Sequence, residues 1–266
     1  MSNKNHINGK MKIYPATRIE KDKRQMIDET VAQEAFLRIF LNDREMVALS
    51  CTPFDRTYLA VGFLVSEGFL KTKEEIESIE KKEDRVTVHT RPSYKFPDVT
   101  QFKGILTSGC GKGKTFTNWE VINPLEDIMI RLDLTLSFDD IIKIIFQFEK
   151  RSELFRQTAG VHSAALAQNG DIVMFNEDIG RHNAVDKVLG ESFLKGVSWK
   201  DKFLVISGRI SSDIVSKLYN CGLNLVVSRT APTSLAVNMA QKLGITLVGF
   251  ARGNRMNVYS FPVRIK

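Results

Sequence analysis

The segment Thr107–Thr115 reads TSGCGKGKT and sets one cysteine among glycines, lysines and hydroxyl side chains. Glycine on both sides of Cys110 leaves the backbone free to present the thiol away from the body of the protein. Lys112 and Lys114 are close in sequence, and positive charge favours the thiolate, which is the nucleophilic form. An exposed thiolate on such a loop can attack a sulfur donor, keep a sulfane sulfur and carry it to a second site. The same loop also reads as a plain connector with an incidental cysteine. No histidine is near it in sequence, so a Cys–His hydrolase is not indicated. Cys51, before a Thr-Pro turn, and Cys221, at a helix end before Gly222, read as small packed hydrophobes.

A second set of reactive types falls at the ends of apolar runs. These ends read SGR (Ser207–Arg209), SRTAPTS (Ser228–Ser234) and FARGNR (Phe250, Ala251, Arg252, Gly253, Asn254, Arg255). They supply Arg209, Arg229, Arg252 and Arg255, and the first two run into helices that open on Ser or Thr. Guanidinium forks hold phosphate in bidentate fashion, and helix N-termini offer unpaired N–H groups with partial positive charge. If the runs are parallel strands, their ends share one edge of an open α/β sheet, the edge at which such folds bind ligands. The expected ligand is an anion with more than one phosphate. The loop EDIGRHN (Glu177–Asn183) adds Arg181, His182 and Asn183 before another helix. No GxGxxG follows a strand, and GCGKGKT lacks the spacing of a phosphate-binding P-loop.

The elements that must position these residues are legible from pattern. Asn42-Asp43 separates two apolar runs, as in a hairpin. TYLAVGFLVSEGFL reads as a buried helix with Asp55 as its N-cap and Gly68 near its end. RVTVHT alternates like a strand, and the surroundings of Pro92 and Pro97 read as loop. From Ser137 a capped amphipathic helix begins. Asn169-Gly170 is a strong two-residue hairpin turn. Strand and helix signals then alternate to a last strand, MNVYSF, which predicts βαβ units with parallel strands. The expected organisation is a basic flexible tail (1–25), an α+β domain with the Cys110 loop (26–136) and an α/β domain with a mainly parallel sheet (137–266).

The 266 residues, 43% of them hydrophobic, suffice for a sizeable core. Residues 1–25 hold seven basic and two acidic side chains, so they carry +5 of the formal +7. That distribution argues against a nucleic-acid footprint. No apolar run approaches the roughly 20 residues of a membrane span, and the first residues lack the apolar core of a signal peptide. A soluble cytoplasmic protein is expected. The scattered cysteines and histidines show no ligand spacing, so no metal site is expected.

Several of these segments together resemble the FdhD family of formate dehydrogenase accessory sulfurtransferases. They are TPFDRTYLAVGFLVSEGF, TSGCG, GVHSAALA, NEDIGRHNAVDKVLG, VISGRISSDIVSKL and APTSLAVNMAQKLGITLVGFARGNRMNVYS, spread over about residues 30–260. The resemblance implies a sulfur carrier that accepts a persulfide sulfur from a cysteine desulfurase on Cys110. It passes that sulfur to the bis-molybdopterin guanine dinucleotide form of the molybdenum cofactor, for insertion into formate dehydrogenase. It also implies cofactor contacts at Phe250–Arg255, joined here by Arg209, Arg229 and His182, a C-terminal domain similar to the cytidine deaminase fold, and a homodimer. The chain departs from the family at Gly113, where many members carry a second loop cysteine, so no disulfide or relay between two loop thiols can form. The alternative use of the same parts is a cofactor-binding module in which Cys110 is dispensable. His162-Ser163-Ala164 lacks the H-x-E of zinc deaminases, so deamination is not expected.

Overall fold

The computed structural model describes residues 6–7, 9–96, 105–106, 114–115 and 134–266. Cys110 lies outside the described residues.

Part of the expected basic tail is a β-hairpin. β1 (His6–Ile7), β2 (Met11–Glu20) and β3 (Lys23–Ala32) form an antiparallel sheet that turns at Lys21, whose φ is 50°. Both faces of this hairpin are largely exposed, so its sequence shows neither alternation nor an apolar face. A charged, solvated strand pair reads like a tail for that reason. Met11 anchors it by packing with Leu154 and Val161.

β4 (Ala35–Leu41) and β5 (Arg44–Cys51) form the hairpin expected around Asn42, which takes φ 54°. α1 (Arg56–Ser66) follows. Asp55 precedes it in a left-handed conformation and makes no side-chain capping bond, contrary to expectation. β6 (Ile76–Lys81) and β7 (Arg85–Thr90) complete a sheet of order β5-β4-β7-β6. β8 (Ile105–Leu106) pairs with β9 (Lys114–Thr115).

α2 (Phe138–Arg151) starts where Ser137 predicts, the Asp140 N–H donating to the Ser137 hydroxyl at 3.1 Å. Its buried Ile141, Ile144, Ile145 and Phe148 follow helical spacing. After α3 (Glu153–Thr158), β10 (His162–Gln168) and β11 (Asp171–Asp178) turn at Asn169 (φ 50°) and Gly170 (φ 78°). Two positive φ values in a row are what a type I′ hairpin turn needs. Then come α4 (Arg181–Leu194), β12 (Phe203–Ile206), α5 (Ser212–Asn220), β13 (Leu225–Ser228), α6 (Ser234–Leu243), β14 (Thr246–Arg252) and β15 (Arg255–Val258).

These strands form one six-stranded sheet of order β11-β10-β12-β13-β14-β15. β12, β13 and β14 are parallel, as expected. The sheet as a whole is mixed rather than mainly parallel, because tight turns after β10 and β14 make antiparallel neighbours of β11 and β15. The apolar runs FLVI and LVVS are buried on both faces, which suits central strands. One face, with Phe203, Val205, Leu225 and Val227, packs on α2. The other, with Leu204, Ile206 and Val226, joins α4, α5, α6, α1 and the β4–β7 sheet in one core. Among the described residues no helix is long and apolar enough to cross a membrane.

The two halves of the chain meet where α1 crosses α4. A Cβ on Gly62 would fall 1.7 Å from the Asp186 carbonyl oxygen, and one on Gly190 would fall 2.0 Å from that of Tyr58. The helices touch backbone to backbone, which only glycine permits. Gly62→Ala and Gly190→Ala should each cost about 3 kcal/mol or more, the upper end for overpacking. Urea unfolding of each variant against the parent checks this.

Candidate functional site

Strand direction gathers the candidate residues. The loops after β12 and β13 and the end of β14 lie side by side along one sheet edge. Ile210 N–H donates to the Ala231 carbonyl (3.2 Å), Thr233 N–H to that of Ile210 (2.9 Å) and Phe250 N–H to that of Thr230 (3.1 Å). The Ser228 hydroxyl donates to the Gly208 carbonyl at 2.7 Å. The three strand ends therefore form one hydrogen-bonded ledge. α5 and α6 start on it, at N-caps Ser211 and Thr233. Two antiparallel pairings bring β11 into the same direction as β12, so α4, which follows β11, also points its N-terminus there. Three helix N-termini share the edge where two were expected.

β10 starts at this edge, and His162 is its first residue. His162 Nδ1 lies 3.3 Å from the Ser207 hydroxyl, which also accepts the Ser163 N–H at 3.0 Å. A Cβ on Gly208 would meet Arg181 Cβ at 3.1 Å and His162 Nδ1 at 3.4 Å. Glycine at 208 thus lets Arg181 and His162 close on the end of β12. Burial pulls the His162 pKa below the ordinary value, and Arg181 and Arg209 pull it further, so the imidazole is neutral at pH 7. His182, one step into α4, is pulled down to about 3 by burial, then by Arg181, Lys217 and His162. Its Nε2 lies 3.3 Å from the Ser211 hydroxyl and 3.6 Å from Asp213 Oδ2. Both partners sit at one ring nitrogen, whereas a Ser–His–Asp relay uses both. The local charge is carried by arginine, and the edge presents donors rather than nucleophiles.

This arrangement can be set beside known proteins. Residues 32–266 match the model of the FdhD/NarQ family. The chain belongs to that family. It is similar to the "Sulfur carrier protein FdhD" of Listeria monocytogenes serotype 4b, at 42% identity over 91% of this chain and 93% of the relative. It is similar to that of Bacillus subtilis at 34% identity, over 94% and 95% of the two chains. A crystal structure described as a formate dehydrogenase accessory protein from Desulfotalea psychrophila superposes with a TM-score of 0.76 and 32% identity, over 97% of this chain and all of that one.

In this FdhD/NarQ chain the expected site residues divide. Arg209 is exposed in the loop after β12, and its charge helps lower the His162 pKa. Arg229 turns toward α2, its Nε 2.8 Å from Glu149 Oε1 in a partly exposed ion pair. Phe250–Arg255 is the β14–β15 turn: Phe250 takes φ 52°, Ala251 is buried, and Arg252, Gly253, Asn254 and Arg255 are exposed. Arg252 and Arg255 stand directly opposite each other across that turn. Asn183 faces inward, donating to Asp178 Oδ1 at 2.9 Å and to the Ser50 carbonyl at 2.8 Å. Sequence reasoning missed Gly208, and it set the helix after EDIGRHN near the edge without counting its N-terminus there. Both depend on how β10 pairs with β12, which no local signal gives.

The His182 shift has a consequence for stability. Its folded pKa lies below the unfolded value of about 6.5, so between there and about 3 the unfolded chain binds a proton that the folded chain refuses. Stability on this account is full above pH 6.5 and falls as acid rises through the window, by up to about 1.4 kcal/mol per pH unit. His182→Gln should flatten the acid limb of a urea-midpoint profile by nearly one proton between pH 6 and 4. An unchanged slope contradicts the assignment.

Proposed function

We propose that this chain is a sulfur carrier serving formate dehydrogenase, with Cys110 as the carrier and the sheet edge as the seat of the acceptor. The names of its relatives and structural neighbour support the broad role. The observation that carries the site is the convergence on one ledge of three helix N-termini, Arg181, Arg209 and neutral His162, with Arg252 opposite Arg255 nearby. Like charges in direct cross-strand register repel, and an anion between them relieves the repulsion. The set consists of phosphate-type donors, so it fits the two pyrophosphates of the bis-molybdopterin guanine dinucleotide cofactor, here the substrate.

In this reading the Cys110 thiolate attacks the terminal sulfur of a cysteine desulfurase persulfide. A new S–S bond forms on Cys110, the donor's S–S bond breaks, and its electron pair leaves on the donor thiolate. The persulfide on Cys110 is then the sulfur source for the acceptor held at the edge. The α2–sheet–α4/α5/α6 layering supports the cytidine-deaminase-like fold that the resemblance implies. The homodimer and the cytoplasmic setting belong to the same reading.

Intact-mass spectrometry after incubation with a cysteine desulfurase and cysteine tests the carrier. A gain of one sulfur is expected, and Cys110→Ala should abolish it. No gain, with nucleotide binding intact, favours the binding module in which Cys110 is dispensable. Arg252→Ala and Arg255→Ala should each weaken GDP binding by roughly tenfold or more, since a charge-assisted hydrogen bond contributes about 1.5–3 kcal/mol, and leave the mass gain unchanged. Unchanged affinity in both would move the acceptor away from this turn.

A further inference from the structure

The turn between β11 and α4, which presents Arg181 and His182 at the edge, is held by a residue from the other half of the chain. Its centre is Asp178, the last residue of β11, with no solvent exposure. Asp178 Oδ1 accepts the Gly180 N–H at 3.0 Å and the Asn183 side-chain amide at 2.9 Å. These bonds close the turn on itself. Asp178 Oδ2 accepts the backbone N–H of Thr52 at 3.1 Å, its hydroxyl at 2.9 Å and the Lys187 ammonium at 2.8 Å. Lys187 also donates to the Thr52 hydroxyl at 2.6 Å, so that hydroxyl both gives to the carboxylate and receives from the ammonium. Thr52 sits between β5 and α1, 126 residues before Asp178, and is itself fully buried.

We infer that Thr52 is a positioning residue for the anion site: through Asp178 it sets where Arg181 and His182 stand on the ledge. No other hydroxyl is within hydrogen-bond distance of both Asp178 and Lys187 among the described residues. A valine at 52 keeps the shape and the backbone donor but removes the hydroxyl. The carboxylate then loses a donor and the ammonium an acceptor, where neither can turn to water. The pair must shift, and the turn that Asp178 closes shifts with it. Serine at 52 restores the hydroxyl without the methyl group.

The inference rests on the anion-binding reading of the edge, and the experiment separates the two. The full chain, Thr52→Val and Thr52→Ser are compared for GDP affinity by calorimetry, for thermal midpoint, and for the imidazole chemical shifts of His162 and His182 without ligand. Expected are a GDP affinity about tenfold lower in Thr52→Val, displaced His182 resonances, and recovery of both in Thr52→Ser. A lower midpoint with parental affinity and unmoved imidazoles makes Thr52 a purely structural residue and overturns the inference. If the parent chain itself does not bind GDP, the reading of the edge fails. The imidazole shifts then decide alone: displaced in valine and restored in serine they uphold the positioning role, and unmoved they overturn it. Should Thr52→Val not fold, Thr52→Cys, whose thiol is a much weaker donor and acceptor, takes its place under the same outcomes.

Discussion

A carboxylate buried without any contact to water is costly unless donors surround it and a cation pairs with it. Asp178 meets both conditions, and its partners come from three places: the β5–α1 junction, the turn into α4, and Lys187 one turn further on. Removing Lys187 would leave the carboxylate charge unpaired at zero exposure, and removing a neutral donor would leave one of its lone pairs unmet. The edge of the six-stranded sheet therefore inherits its geometry from this group. Arg181 and His182 project from a turn that the carboxylate closes on the inside.

A second buried ion group repeats the logic deeper in the core. Lys217 of α5 donates to Glu67 at 2.8 Å and to Ser66 at 2.8 Å, and lies 2.9 Å from Asp186 of α4. Burial works against its charge, but Asp186 and Glu67 outweigh that penalty and hold its pKa above the ordinary value. Burial raises the pKa of Asp186 in turn, with Lys217 opposing. The group ties α1, α4 and α5 together beside the Gly62–Gly190 crossing. Hydrophobic contact alone tolerates sliding of such helices, whereas a directional ion cluster and a backbone contact do not. The two halves share one core, and residues that never approach the edge still determine its shape.

The segment EDIGRHNAVDK shows how a motif can be legible while the separate roles of its residues are not. The sequence places Arg181, His182 and Asn183 before a helix and does not say which of them reaches the edge. In the structure Glu177 accepts the N–H groups of Leu154 and Phe155 at the start of α3. Asp178, Asn183 and Lys187 hold the turn, and Asp186 joins the Lys217 cluster. Only Arg181 and His182 are turned to the edge. Burial distinguishes the two roles, and no spacing rule encodes it.

By itself the sequence determined most elements of the second half of the chain, while the exposed β2–β3 hairpin read as a tail. The Asn169-Gly170 turn, the Ser137 cap, the uninterrupted apolar strands and the alternation from residue 162 onward all act over a few residues, so local physics settles them. It also determined that arginines and helix starts would line one sheet edge, because parallel strands leave their ends no other place. Tertiary structure alone decided which charges are interior partners, which glycines are contact points and how β10 and β11 add a third helix start to the ledge. Those outcomes depend on pairs more than a hundred residues apart, such as Thr52 with Asp178 and Gly62 with Asp186. A charge acquires its role from the dielectric around it, and that dielectric exists only once the chain has folded.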